Sequence, residues 1–341
     1  MFLSLIFNPL TCYLPVDKSS PEEVDTKDTS TATSSDTSTS AWSTPECASD
    51  LTTAFTEQAL HFPESGSDGY TQVSAETMDS VNSSIQHALA ENHKEAWEYA
   101  TQAGYTFCQG QEDETGILIW EPSTFGTGRA LIALRTAPSR AMIVEAPHPV
   151  YDSSTLEESI DLFQELNGQA LIISGTHRCA SSEFSGCSGR TSTCGTSQEY
   201  TISDPAHHTD NIFHQTHVVL SGHFSNAVVI NLHGMRGDGI SVSNGTKNTV
   251  ADDSLVARLS EELKILMGED NTTTCNPYST ANVDERLCGT TNTQGRHVNG
   301  SANPCSEAAT TASERFLHIE QSRELRDDPT PLFTALDNTL P

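Results

Sequence analysis

The chain has 341 residues, of which 46 are acidic and 17 basic, for a formal charge of −29 at neutral pH. That balance excludes nucleic acid as a partner, because phosphate binding needs clustered lysine and arginine. An acidic, lysine-poor surface instead fits a soluble extracytoplasmic protein.

The chain opens on a short apolar run, Phe2-Leu-Ser-Leu-Ile-Phe7, followed by Pro9-Leu-Thr-Cys12. It is too short to span a bilayer, and residues 1–16 read as a signal or lipoprotein segment with Cys12 as a lipid-anchor candidate, the only contact with a membrane expected here. Residues 17–50 are Ser, Thr, Asp, Glu and Pro with hardly any large apolar side chain, so a disordered tether is expected. The remainder, 51–341, is long enough for one large α/β domain with a helical N-terminal extension over 51–110. A monomer is expected.

Between Glu76 and Ala103, Met78, Val81, Ile85, Ala88, Leu89, Ala96 and Ala100 recur at helical spacing, giving one long helix or a pair that stops at Gly104. Strand-like runs follow at 116–120, 130–135 and 141–145. From there strand and helix alternate, as in an α/β sheet with crossover helices. Ser154 and Glu157 suggest a capping box for a helix ended by Gly168, and strand 170–174 comes next. Asp204-Pro205 suggests the start of a helix running to about Leu220, followed by strand 227–232 and helix 252–267, closed by Gly268. The stretch 271–305 has little periodicity and reads as a long loop. Arg315 to Glu320 makes a last strand. The expected sheet is mixed and mainly parallel, with flanking helices.

Nine cysteines, at 12, 47, 108, 179, 187, 194, 275, 288 and 305, include no Cys-x-x-Cys pair. Setting Cys12 aside leaves an even number, six of them in the clusters 179–194 and 275–305, which favours disulfides in an oxidising compartment. No Gly-x-Ser-x-Gly, His-Glu-x-x-His, Walker or dinucleotide signature is present, which removes the most familiar hydrolase and nucleotide-binding readings.

Three apolar strands end in histidine: Ala141 to His148, Ala170 to His177, and Ala227 to His233. In sheets of this kind ligands collect beyond the carboxyl ends of strands. A catalytic zinc takes three protein ligands, often two histidines and a carboxylate, and leaves one position open. His148, Asp152 and His233 are the candidate ligands. His177 and Arg178 end the middle strand and are candidates for transition-state and substrate-carboxylate contacts. Arg236 and Arg296 are further carboxylate-binding candidates on loops. Glu320, near the end of the last strand, is the candidate general base. His207, Asp210, His214 and His217 share one arc of the helix expected from Asp204, where a second metal site is weighed against a solvated polar face, the favoured reading.

Four segments, Ala146-Pro-His148, Asn231-Leu-His233, Asn292-Thr-Gln-Gly-Arg296 and His318-Ile-Glu320-Gln-Ser-Arg323, together resemble the N-formylglutamate amidohydrolase family, part of the zinc-carboxypeptidase-like metallohydrolases. The similarity spans about residues 140–326. Pro149 and Val150 depart from the small residues that follow the family's first histidine, and Gln294-Gly-Arg-His297 replaces the family's Lys-Gly-Gly-Tyr. The resemblance implies a carboxypeptidase or phosphorylase/hydrolase-like fold and zinc-dependent cleavage of an amide in a small molecule or peptide bearing a carboxylate. The alternative is a non-catalytic, disulfide-braced surface module, in which His148, His233 and Glu320 point to different places.

Overall fold

The computed structural model describes residues 42–110 and 116–341. The signal-like segment, Cys12 and the tether up to residue 41 lie outside the described residues. Trp42 to Asp50, expected at the end of the tether, instead lie against the body. Cys47 is bonded to Cys108, and Gln109 exchanges backbone hydrogen bonds with Pro45 and Cys47.

Three helices come first: Leu51–Ala59 (α1), Ala75–Leu89 (α2) and His93–Gln102 (α3). Asp50 and Ser74 cap α1 and α2 by accepting the free N–H groups of Thr53 and Thr77. The expected helical pair is α2 and α3, broken where Glu91 takes a left-handed φ of 60°. Ser84 ties the pair to the sheet: its hydroxyl donates to Ala96 O at 2.6 Å and accepts from the Trp120 indole at 2.7 Å.

The strands are Tyr105–Gly110 (β1), Ile117–Pro122 (β2), Leu131–Arg135 (β3), Arg140–Ala146 (β4), Gly168–Ile173 (β5), Val228–Gly234 (β6), Ile240–Ser243 (β7), Thr272–Thr274 (β8) and Phe316–Gln321 (β9). They form one sheet in the order β1-β2-β3-β5-β4-β6-β9-β7-β8. The sheet is evenly mixed rather than mainly parallel. Its centre, β5-β4-β6-β9, is parallel, but β1, β2, β3 and β5 form an antiparallel series and β7 runs against β9. The short strands β1, β7 and β8 were not expected.

The remaining helices are Thr155–Glu165 (α4), Ile212–His223 (α5), Leu255–Met267 (α6), Thr293–Val298 (α7), Arg323–Asp327 (α8) and Thr330–Thr339 (α9). One sheet face is covered by α1, α4, α6 and α9 through Phe55, Phe163, Leu259 and Leu336. The other is covered by α2, α3 and α5 through Ile85, Ala96 and Phe213. Each such large side chain contributes about 1.5–3 kcal/mol on burial. The chain leaves β4 by α4 toward β5, then returns across β4 by α5 to β6. The crevice between the carboxyl ends of β4 and β6 is therefore the switch point at which an open α/β sheet binds ligands.

Three local expectations are corrected. Ser154 makes no cap for α4: it sits at φ 73°, and its hydroxyl donates to Asp327 instead. That helix ends at Asn167 in a left-handed turn, so Gly168 is free to start β5. Asp204 opens only a 3₁₀ turn, Pro205–His207, and α5 begins later with Asn211 as its cap. The long loop 271–305 contains β8 and α7.

All eight cysteines after Cys12 are paired: 47–108, 179–194, 187–305 and 275–288. Four disulfides fit an oxidising, extracellular setting. Among the described residues, no helix is long and apolar enough to cross a membrane.

Candidate metal centre and cleft

On the face of the sheet beneath α5, residues change character in rows fixed by strand register. Ile143, Val229 and Phe316 lie side by side and are apolar. Two residues further along, Glu145, Asn231 and His318 form the next row, and His233 and Glu320 the one after. Strand alternation puts all five polar side chains on the same face. His148 and Asp152 arrive from the loop after β4. There the Asp152 N–H donates to the His148 carbonyl at 2.8 Å, a turn that brings the two side chains together.

His148, Asp152 and His233, all buried, converge. The Nδ1 atoms of the two histidines are 3.1 Å apart, and Asp152 Oδ2 is 3.3 and 3.4 Å from them. The imidazoles do not point apart. Both far nitrogens are engaged: His148 Nε2 lies 2.9 Å from Asp204 Oδ1, and His233 Nε2 lies 2.6 Å from Asn231 Oδ1. The Asn231 amide is oriented by its own donation to the acceptor-only Glu145 carboxylate at 2.9 Å and by acceptance from Asn292 at 3.0 Å. The protons of His148 and His233 therefore belong on Nε2, and both Nδ1 lone pairs face the same point as a carboxylate oxygen. Donation of the second ring N–H to a carboxylate or carbonyl is the usual arrangement of metal-ligating histidine.

The electrostatics agree. Burial pushes His233 down to about 4, so it is a neutral imidazole at pH 7. Burial, reinforced by Asp152, pushes the Glu320 carboxyl well above its ordinary value.

Asp204 joins the site as a residue that sequence reasoning assigned to a helix cap. It accepts from His148, from His207 at 3.0 Å, and from Arg178 Nε and Nη2 at 3.0 and 2.5 Å. Arg178 Nη1 faces the centre and donates to His148 Nδ1 at 3.4 Å. Asp152, Arg178, His233, Arg236, Glu320 and Arg326 line an open cleft of about 690 Å³. Arg286 and Leu287 enter it from the loop closed by Cys275–Cys288, and Ser192 and Thr193 from the loop closed by Cys179–Cys194. Four of the twelve arginines of a strongly acidic chain thus border one cleft. Gly234 permits this, since a Cβ there would meet the Arg326 guanidinium at 2.1 Å.

Two expected site residues are elsewhere. His177 is held by its own turn, its Nδ1 accepting from Cys179 N at 3.0 Å and its ring lying edge-on to Tyr151. Arg296 is buried away from the cleft and spends its donors on Thr290 O, Ser188 Oγ, Pro304 O and Cys305 O, which ties the two disulfide loops together. The helix arc expected from Asp204 is also redistributed. His207 lies in the 3₁₀ turn, Asp210 is exposed, and His214 and His217 are buried rather than solvated. His217 Nδ1 lies 2.6 Å from Glu145 Oε1, and His297 of α7 packs against both helix histidines.

No protein-family model, curated protein or solved structure matches this chain, so its function is argued from the centre and its cleft.

Proposed function

We propose that the protein is an exported, zinc-dependent hydrolase of amide bonds, an amidohydrolase or carboxypeptidase-like enzyme whose small-molecule or peptide substrate carries a carboxylate. One observation carries the reading: Nδ1 of His148, Nδ1 of His233 and Oδ2 of Asp152 converge within 3.1–3.4 Å of one another, and the tautomer argued above turns both imidazole lone pairs to that point. Three acceptors in that arrangement repel, and the hydrogen bond from Arg178 Nη1 relieves only His148. A tetrahedral zinc with bonds near 2.05 Å separates its ligand atoms by about 3.3 Å, so the residues fit the ion.

His148, Asp152 and His233 would hold the zinc, and the cleft leaves its remaining side open. When bound, the ion supplies Lewis-acid polarisation of a carbonyl oxygen and of water. Glu320 Oε takes a proton from the attacking water and returns it to the leaving amine. Arg178 Nη1 is held on the floor of the cleft by Asp204, aimed where negative charge develops. Arg236, exposed on the rim and without a hydrogen bond or ion pair among the described residues, meets the substrate carboxylate. His177 and Arg296 have no part in this scheme. The site at the carboxyl ends of the central parallel strands supports the carboxypeptidase-like fold implied by the resemblance, and the disulfides support export.

Elemental analysis of the purified protein and hydrolysis of a panel of N-acyl amino acids and short peptides test the proposal together. About one zinc per chain is expected, lost with activity in His148→Ala and His233→Ala. Metal content unchanged by those substitutions refutes the assignment.

A further inference from the structure

We infer that the substrate carries a large apolar side chain beside its carboxylate, and that Leu287 is the residue that selects for it. The inference rests on the reading of the cleft as the active site of an amide hydrolase and names the class of substrate taken there.

Leu287 is 48% exposed, lines the cleft and sits at φ 55°. An exposed leucine alone is ordinary. A left-handed backbone is not, because bulky side chains rarely adopt it, whereas glycine or asparagine does so readily. Both departures fall on one residue of the cleft wall, and backbone strain of this kind collects at ligand-binding sites.

The loop leaves this residue little freedom. Cys288 is bonded to Cys275, and its carbonyl accepts from Ser243 Oγ at 2.9 Å. Gly289, at φ 65°, lies so close to the His318 ring that a Cβ would meet it at 2.8 Å. On the other side Arg286 folds back on Asp284, whose Oδ1 accepts its backbone N–H and its Nε, each at 3.0 Å. The charge of Arg286 is thus matched within the loop. What the loop adds to the cleft beyond that ion pair is a fixed apolar side chain.

Tyr151 and Met235 line the same cleft, and the Tyr151 ring is held by the Arg178 guanidinium, 5.5 Å from its centroid, and by His177 edge-on to it. Each apolar residue therefore stands beside an arginine: Tyr151 against Arg178 in space, Met235 and Leu287 next to Arg236 and Arg286 in sequence. A carboxylate attached to a large apolar side chain meets both kinds of wall at once. A substrate with only charged groups would leave the apolar wall against polar atoms and gain nothing from its burial. The chain's formal charge of −29 also repels a polyanion, whereas a single carboxylate responds chiefly to the arginines within a Debye length, about 8 Å at physiological ionic strength.

The test is the kinetics of the zinc-loaded full chain on the N-acetyl derivatives of phenylalanine, leucine, alanine and glutamate, with binding of the same compounds followed by calorimetry. Values of kcat/KM are expected to be at least about 10-fold higher for the phenylalanine and leucine derivatives than for the other two. Leu287→Gly and, independently, Leu287→Asn should shrink that ratio to about threefold or less, with the loss mainly in KM. Both replacements accept a left-handed backbone, so folding is not at risk. Equal rates across the panel, a preference for the glutamate derivative, or a preference untouched by both substitutions overturns the inference while leaving the hydrolase reading standing. If nothing is hydrolysed, the order of binding decides. Tighter binding of the phenylalanine and leucine derivatives, lost in both variants, keeps the role of Leu287 and overturns the hydrolase reading alone, and binding without that order, or none, overturns both.

Discussion

Asp204→Asn is the most informative single substitution, because it changes no volume and separates two roles of one carboxylate. Asp204 accepts four hydrogen bonds, from His148, His207 and two nitrogens of Arg178, at 2.5–3.0 Å. An amide offers one acceptor and one donor in their place. If its NH₂ group faces Arg178, donor meets donor and the guanidinium, with only 11% of its side chain exposed, loses its closest counter-charge. Breaking a buried pair from one side costs about 3–5 kcal/mol, and the lower end applies because Asp152 and Glu320 also stabilise the arginine charge. If the NH₂ instead faces His148, that ring must carry its proton on Nδ1, the position a metal would occupy. Loss of such an orienting partner lowers metal affinity about 10–100-fold, or about 1.4–2.7 kcal/mol. Urea denaturation with and without zinc, together with competition against a chromophoric chelator, measures the two losses separately. Zinc affinity within twofold of the unaltered protein, in a variant that still folds, would refute the role of Asp204 in orienting His148.

Other expectations follow from the same geometry. Glu158 is buried, accepts from Gln321 Nε2 at 2.6 Å, and is pushed by burial up to about 8 from 4.5. The folded state therefore holds an extra proton between those values. Its stabilising contribution is complete below about 4.5 and is lost as pH rises toward 8, at about 1.4 kcal/mol per pH unit. Glu158→Gln should remove that slope from the pH dependence of urea unfolding, and an unchanged slope would assign the dependence to other groups. Replacing both cysteines of the 187–305 disulfide by serine should cost about 5 kcal/mol, against about 3 for the 275–288 pair, because the bridged separations are 118 and 13 residues. The shorter bridge should matter more to activity, since its loop carries Arg286 and Leu287 to the cleft, and equal activity losses from the two double variants would count against that. Arg236→Ala should raise KM for a carboxylate-bearing substrate about fivefold, equivalent to ~1 kcal/mol, and weaken its salt dependence with kcat little changed. A selective fall in kcat would move Arg236 from the rim to the chemistry.

The convergence of His148, Asp152 and His233 was legible because strand ends announce themselves: Val and Ile runs stop at His148 and His233, and Glu320 shares a face with His318 by simple alternation. Asp204 was not legible, because Asp-Pro before a polar run matches a helix start, and only tertiary contact with Arg178 and two histidines shows its use. A competing signal was present in Asn211 before Ile212-Phe213, the cap that α5 actually uses. Arg296 looked like a free loop arginine because the carbonyls it satisfies belong to segments far away in sequence, around Ser188 and Cys305. His214 and His217 were placed correctly on one arc but assigned to solvent, since nothing local reveals that Glu145 lies opposite. The strands β7 and β8 escaped because Ile240-Ser-Val-Ser243 and Thr272–Thr274 are too short for a period to register. Their backbone pairing, not their side chains, makes them strands.

The graded face of the sheet explains why so polar a centre can be afforded within an α/β core. Along β4, β6 and β9 the row Ile143, Val229 and Phe316 belongs to the apolar cluster under α5. The next row could not be buried if its members were independent, since each unpaired polar group would cost about 1–3 kcal/mol. Glu145 and Asn231 instead pair with each other, and His217 Nδ1 meets the second Glu145 oxygen, while His318 Nδ1 stays without a partner; Asn231 passes that order on to His233, so the deep row fixes the tautomer of the row above it. Register is what joins these layers: a slip of one residue in β6 would turn Asn231 and His233 to the face of α4 and bring Leu232 into the centre. The apolar row therefore does more than stabilise the fold. By locking Val229 between Ile143 and Phe316 it sets which nitrogen of His233 is left bare, and so whether a cation can bind at all.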